Sequence, residues 1–336
     1  MIIRGRALFV AALAVLSFAL PALAQNALEV RQVKTAPVLD GTVDAVWQDA
    51  APLKVALFGG RNLPGGKTDV TLKAVNQGDT VFFLLQYADA TQSFRRSPFL
   101  KKSDGTWVKV TDPADNGGDN NLAYEDKFSI IWSIRSPTFD QTGCMGACHA
   151  GEAGKPYGNK YLPPGEIADI WHAKYVRTGP VGQVDDQYLD DTRYDKDKAP
   201  EAGRKSDAKT GGGYADIKLI NGVPEFGLPG GATAPPYWVL DSQKVPFDNG
   251  KYADGAEVPS IIIAPFTGDR GDISAGMKWV NGIWTIEFSR KLVTGSATDV
   301  QFDDRKKAYS FGIAVFDNAQ VRHAFHVGVL KMVFKD

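Results

Sequence analysis

Hydrophobic positions along most of this chain recur at every second residue, the mark of strands that put one face into a core. Val70, Leu72 and Ala74 alternate with Thr71 and Lys73, and after Gly78-Asp79 the pattern resumes at Val81, Phe83, Leu85 and Tyr87, predicting two strands around a tight turn. Phe128, Ile130, Trp132 and Ile134 make a third run. Trp284, Ile286 and Phe288, set against Thr285, Glu287 and Ser289, make a fourth, and Phe311, Ile313 and Val315 a fifth. Gly, Pro and Asp clusters such as Asn116-Gly117-Gly118-Asp119 and Pro163-Pro164-Gly165 separate the runs, and no stretch of a dozen residues carries a capped 3.6-residue period. The expected class is all-β, with strands closing into a sandwich or barrel.

Two segments depart from this rhythm. Arg4 and Arg6 precede an apolar run from Ala7 to Leu20 broken only by Ser17; Pro21 then leads into Ala22-Leu23-Ala24 before Gln25. Residues 1–24 read as a secretory signal peptide, because the run is shorter than the roughly 20 residues of a spanning helix. No later segment approaches that length, so the expectation is an exported protein with no stable membrane span after cleavage, most simply in a bacterial periplasm. The second departure, Asp185 to about Gly250, is crowded with Asp, Lys, Gly and Pro, including Asp195-Lys196-Asp197-Lys198 and Gly211-Gly212-Gly213. It predicts a long solvated insertion at about 185–250 within one domain of residues 25–336, or else a lid or docking surface beside a cofactor.

Composition narrows the class. With 43% hydrophobic and 23% charged residues, the 336-residue chain suits one large globular unit and excludes disorder, collagen and a multi-span membrane protein. Lys and Arg number 38 against 39 Asp and Glu; losing the leader removes two Arg and no acid, so the formal −1 becomes −3. No positive field is left to hold nucleic acid. The two cysteines are too few for a disulfide framework.

Those cysteines carry the chemistry. Cys144-Met145-Gly146-Ala147-Cys148-His149 resembles the haem c attachment pattern with one additional residue between the thiols. Cys144 and Cys148 are expected to form thioethers with the vinyl groups of one haem c, and His149 to be the proximal iron ligand. Gly146 and Ala147 are small enough to let the loop lie against the porphyrin edge. The additional residue bears on covalent attachment rather than on haem binding, and haem b is the alternative if attachment fails. Three other readings stay open. A Cys144–Cys148 disulfide would close a small, strained loop. A zinc site would need a fourth ligand, with His149, His172, His323 and His326 available. A cysteine nucleophile would lack a clear signature. For the distal iron position Met277, before the strand at 283–288, is the first candidate, since a thioether there raises the reduction potential. The alternatives are Lys278 as a neutral amine, His172, which shares a strand face with Lys174, and His326. Trp171, Trp279 and Tyr175 are candidates for packing on the haem, with ordinary core packing as the other reading.

A family resemblance runs over most of residues 30 to 333. Val38-Leu39-Asp40-Gly41 with Trp47 and Ala50-Ala51-Pro52 opens it, Asp169-Ile170-Trp171-His172-Ala173-Lys174 stands in the middle, and residues 282–292 with Phe316-Asp317-Asn318 follow. In this order the motifs resemble the ethylbenzene-dehydrogenase-type haem-binding domain, which is similar to the haem subunits of periplasmic dimethyl-sulfoxide-reductase-type molybdoenzymes. The resemblance implies a carbohydrate-binding-module-like (DOMON-like) β-sandwich. It implies haem b held by Met and Lys where the Cys pair is missing, and a c-type branch for this chain with His149 at one axial position. The expected function is that of a periplasmic mono-haem c-type cytochrome passing single electrons to or from a redox partner, a cytochrome or a molybdoenzyme, and so a carrier more than a catalyst. A second expectation is a carbohydrate- or ligand-binding sandwich without redox activity, using exposed aromatics. A third, a haem enzyme or gas sensor, requires an open sixth position.

Overall fold

The computed structural model describes residues 27–115, 119–150 and 160–335; the expected leader and Asn116 to Gly118 of one expected turn lie outside them. Thirteen strands hydrogen-bond into one sheet: β1 Ala27–Gln32, β2 Leu53–Phe58, β3 Lys67–Gln77, β4 Thr80–Ala88, β5 Lys127–Arg135, β6 Ile167–Lys174, β7 Asp185–Leu189, β8 Arg204–Ser206, β9 Ser274–Val280, β10 Ile283–Lys291, β11 Tyr309–Phe316, β12 Ala324–Phe325 and β13 Leu330–Lys335. Their order is β8-β7-β6-β5-β11-β12-β2-β3-β4-β10-β9, with β1 parallel to both β13 and β3, and β13 antiparallel to β11. All five runs of alternating hydrophobics fall within strands, and the pair at 67–88 is the expected hairpin.

The sheet doubles over into a two-layer β-sandwich. One layer is β8-β7-β6-β5-β11, the other β2-β3-β4-β10-β9, and β12 together with the β1–β13 pair joins them. Phe83 on β4 meets Trp171 and Trp132 across the gap with ring centroids 5.5 and 5.9 Å apart, and Phe128 on β5 meets Phe288 on β10 at 5.2 Å. These rings are fully buried, and each large apolar side chain so placed contributes about 1.5–3 kcal/mol. Arg290 continues the core-facing row of β10 beyond Phe288. Its guanidinium bonds Asp169 at 2.9 Å, lies within 4 Å of Asp186 and Asp299, and rests 4.7 Å from the Trp171 ring. A charge this deep persists because it is paired.

Two features differ from the sequence expectation. Among the described residues there is one α-helix, α1 Pro137–Gly146, ten residues long and so shorter than the window that periodicity needs. Its signal was local: Ser136 accepts a hydrogen bond from the Phe139 amide as N-cap, and Pro137 takes the first helical position. The segment at 185–250 is not simply a solvated insertion. Asp185–Leu189 is strand β7, buried in the main sheet. Arg204–Ser206 is strand β8 at the edge of the same sheet, and residues from Ile217 onward fold with residues 99–107 and Val258 around a core of their own made of Phe99, Trp107, Ile217, Leu228, Val239, Tyr252 and Val258. These core residues come from separate short stretches of chain and converge only in three dimensions. No helix among the described residues is long and apolar enough to cross a membrane.

Candidate functional site

Strand alternation gives the β8-β7-β6-β5-β11 layer a second, outward face, and the cysteine motif sits on it. Ile131 on β5, Ala168 and Ile170 on β6 and Leu189 on β7 form a small apolar floor, on which Phe139, Cys144 and Ala147 of the α1 region pack together with Leu162; Cys148 and Phe325 lie at its margin. Glu166, just before β6, ties down the start of the helix, accepting hydrogen bonds from the Thr138 hydroxyl at 2.7 Å and from the Ser136 hydroxyl. Gly143 has φ +63°, which interrupts the helix, and a Cβ there would come 2.5 Å from the Gly328 carbonyl oxygen. Gly312 on β11 matters equally: a Cβ would lie 2.8 Å from Cys144 Sγ, so the missing side chain is what lets the thiol seat on the sheet.

Both cysteines are free thiols. A hydrogen bond between them, aided by burial, pushes the Cys144 thiol well above its ordinary value, and the same bond lowers Cys148. A raised pKa is the wrong direction for a nucleophile at Cys144. The His149 amide donates to the Cys144 carbonyl at 2.9 Å. Its ring stacks on Phe325, centroids 4.1 Å apart and planes 14° apart, and its Nε2 lies 3.2 Å from Nε2 of His323. His323 Nδ1 is 2.9 Å from the Val321 carbonyl oxygen. The row of rings continues from His323 to Phe316 at 4.8 Å and from Phe316 to His172 at 5.6 Å. His172 Nδ1 meets Gln187 Oε1 at 3.2 Å, and its buried Nε2 has no hydrogen-bond partner. Burial lowers the pKa of all three imidazoles; His323 falls to about 3, with His149 adding to the effect. Each is therefore neutral near pH 7, the form that binds metals. Beside Phe316 the buried Lys127 ammonium, 3.9 Å from the ring, donates to the Gln320 carbonyl at 2.7 Å. Burial pushes its pKa well below the ordinary lysine value.

This donor set suits a planar macrocycle better than a bare ion. Among the described residues, the groups of three or more potential ligand atoms within 4.8 Å of one another are all carboxylate clusters, such as Asp89, Asp126 and Asp317. The thiols and imidazoles thus do not converge on one point, as four-coordinate zinc requires. Two unpaired thiols beside a neutral imidazole are instead the parts needed to hold a haem by its edge and its iron.

The remaining sequence candidates lie elsewhere. Met277 faces the core between the layers, where a Cβ on Gly179 would be 3.7 Å from its sulfur; Lys278, exposed, has its Cβ packed against Gly41. Trp171 is in the centre of the core, Trp279 Nε1 donates to the Asp89 carbonyl at 2.9 Å, and Tyr175 bonds Tyr87 through its hydroxyl and lies on Trp284. The structure brings none of these five to His149, because period-two alternation directs Met277 and the aromatics inward while the cysteine motif is outside the opposite layer. His172 does belong to the outward face. His326 donates its amide to Ile313 and has its ring beside Gly328. What sequence reasoning missed as a site residue is His323, with Phe325 and Phe316 around it. The alternation of His323 and Phe325, which puts both on one side and His326 on the other, is the signal that could have found it. A separate open cleft of about 690 Å³, lined by residues including Phe94, Arg95, Tyr237 and Trp238, contains none of the sequence candidates.

The family model described as ethylbenzene dehydrogenase matches residues 44–328. No curated protein matches the chain. Among solved structures, a family 9 carbohydrate binding module from Caldicellulosiruptor kristjanssonii in complex with cellotriose is similar over 92% of this chain and 94% of its own, at 9% identity and a TM-score of 0.36. A putative carbohydrate-binding protein from Bacteroides uniformis is similar over 92% of this chain and 99% of its own, at 6% identity and a TM-score of 0.38.

Proposed function

The chain belongs to the ethylbenzene dehydrogenase family, and from that premise we propose that it is an exported, periplasmic c-type cytochrome that carries single electrons to or from a redox partner protein. One observation carries the reading: the two cysteines of the chain stay unpaired and largely buried at the end of α1, immediately beside a neutral imidazole whose Nε2 faces another imidazole at 3.2 Å. Cys144 and Cys148 would hold one haem c as thioethers, each S–H adding across a vinyl C=C with sulfur to one carbon and hydrogen to the other, so that no oxidant or reductant would be consumed. His149 would be the proximal ligand, and the stack on Phe325 would set its ring plane. When bound, the haem supplies a one-electron couple at its iron.

The chain's own residues supply the setting for that couple. Ile131, Ile170 and Leu189 form a dry floor under the attachment loop, which lowers the local dielectric. On the same face Lys127 is buried and donates to the Gln320 carbonyl at 2.7 Å, which holds the β11–β12 connection against β5. Location of the motif on the outward face of the sandwich, rather than between its layers, would suit electron exchange with a docked protein. A pyridine haemochrome assay with haem staining on a denaturing gel tests the reading. One covalently bound haem per chain is expected, and protein matured with the attachment machinery yet lacking a Soret band overturns it.

A further inference from the structure

The distal side of the iron is settled neither by the cysteine motif nor by the family resemblance, which would supply a methionine or a lysine. The outward face offers a different residue. His149 and His323 are 174 positions apart, one after α1 and one between β11 and β12, yet their Nε2 atoms face each other at 3.2 Å. His323 Nδ1 bonds the Val321 carbonyl, which fixes the proton on Nδ1 and leaves the lone pair on Nε2. A ring nitrogen anchored to a backbone carbonyl, with the other nitrogen free, is the usual outer-shell support of a metal-bound histidine. The ring is further held between Phe316 and Phe325, with centroids at 4.8 and 5.7 Å. Two such nitrogens face each other only if His149 carries its proton on Nε2, and among the described residues neither ring has a carboxylate partner. Metal–imidazole bonds are about 2 Å long, so one haem iron would accept both lone pairs once the two nitrogens part by about 1 Å and the Phe325 ring, which lies beside both imidazoles, swings aside for the macrocycle.

We infer that His323 is the second axial ligand of the haem iron, giving bis-imidazole coordination with His149. The inference rests on the haem c reading above. It displaces Met277, Lys278 and His326 from that role and makes the β11–β12 connection the clamp on the distal side. Two consequences follow from the ligand chemistry. The iron is closed to small ligands, which separates an electron carrier from a gas sensor or haem enzyme. Its reduction potential also lies below that of a His/Met site, since thioether ligation is what raises the potential.

The test uses the full-length protein matured with haem, as wild type, His323→Ala, His323→Met and Met277→Leu. Absorption spectra, carbon monoxide binding in the reduced state and redox titration are read on each, alongside haem staining of the denatured chain. Wild type is expected to be low spin and inert to carbon monoxide. His323→Ala is expected to keep its covalent haem, become high spin and bind carbon monoxide, with free imidazole restoring the low-spin spectrum. His323→Met, which retains a ligand and keeps a similar volume at the site, is expected to stay low spin with a higher potential, and Met277→Leu to match wild type. If His323→Ala keeps the wild-type spectrum, or His323→Met the wild-type potential, the inference fails while the haem c reading stands. A wild-type chain without covalent haem removes that reading itself.

Discussion

The layer β8-β7-β6-β5-β11 has two faces built by the same alternation, and they carry opposite chemistry. Its inward face presents Phe128, Ile130, Trp132, Trp171, Phe311 and Ile313 to a continuous aromatic and aliphatic core. Its outward face places two thiols, three neutral imidazoles and a lysine with a depressed pKa on a floor kept shallow by Gly312 and Ala314. Both faces bury polar groups at a cost in free energy, but of different kinds. The inward face holds Arg290 against Asp169, Asp186 and Asp299, while the outward face gathers thiols and neutral imidazoles, the groups that bind metals and cofactors.

This contrast can be broken by mutation, and the largest effect is expected inside. Trp171→Ala removes a ring packed against Phe83, Trp132 and Phe288 and should cost about 3–5 kcal/mol in urea denaturation. The haem absorption of the folded fraction should not change. A shifted spectrum would mean that Trp171 touches the cofactor after all and that the two faces are not independent. Gly312→Val on the outward face drives a side chain against Cys144 Sγ and should cost about 1–3 kcal/mol from overpacking. Unlike the tryptophan change, it should also lower the yield of covalent haem per folded chain; undiminished haem content would detach the thiol's seat from its function.

A third prediction concerns the polar end of the inner core, where Asp89, Asp126 and Asp317 are buried together. Burial first, then the Asp317 charge, raises the Asp89 carboxyl to about 7. The folded chain thus holds a proton that the unfolded chain releases near pH 4, so this group makes stability fall as pH rises from about 4 to 7, with the loss complete above 7. Asp89→Asn should stabilise the protein by about 1–2 kcal/mol at pH 8 and scarcely at pH 4, as read from melting curves at the two values. An equal gain at both would exclude the proton as the cause. The smallest effect is expected from Met277→Leu, a volume-conserving change costing below about 1.5 kcal/mol. Haem spectrum and potential should both be retained; a shifted potential would return Met277 to the iron.

Much of the frame was legible before any coordinates. The runs at 70–87, 128–134, 284–288 and 311–315 all fall in strands because a period of two is a local property, repeated within a few residues. Helix α1 was not expected, because ten residues are too short for periodicity to reveal and the Ser136-Pro137 start is a single local cue. The compact core of the 185–250 segment was hidden because Trp107, Ile217, Leu228 and Val258 contribute one residue each from distant points of the chain.

The site divides along the same line. Cys144, Cys148 and His149 are neighbours in sequence, so their joint chemistry could be read directly from the chain. The partner of His149 could not, because 174 positions separate it from His323 and only the pairing of β11 with β5 and β12 brings them to one face. Composition and spacing determined an all-β protein with a thiol–imidazole motif. Which side of a strand each candidate occupies was decided by the tertiary structure. Met277 was the first candidate for the distal iron position and His323 was not among the candidates; the closed sandwich packs Met277, partly buried, against the core and leaves His323 facing His149.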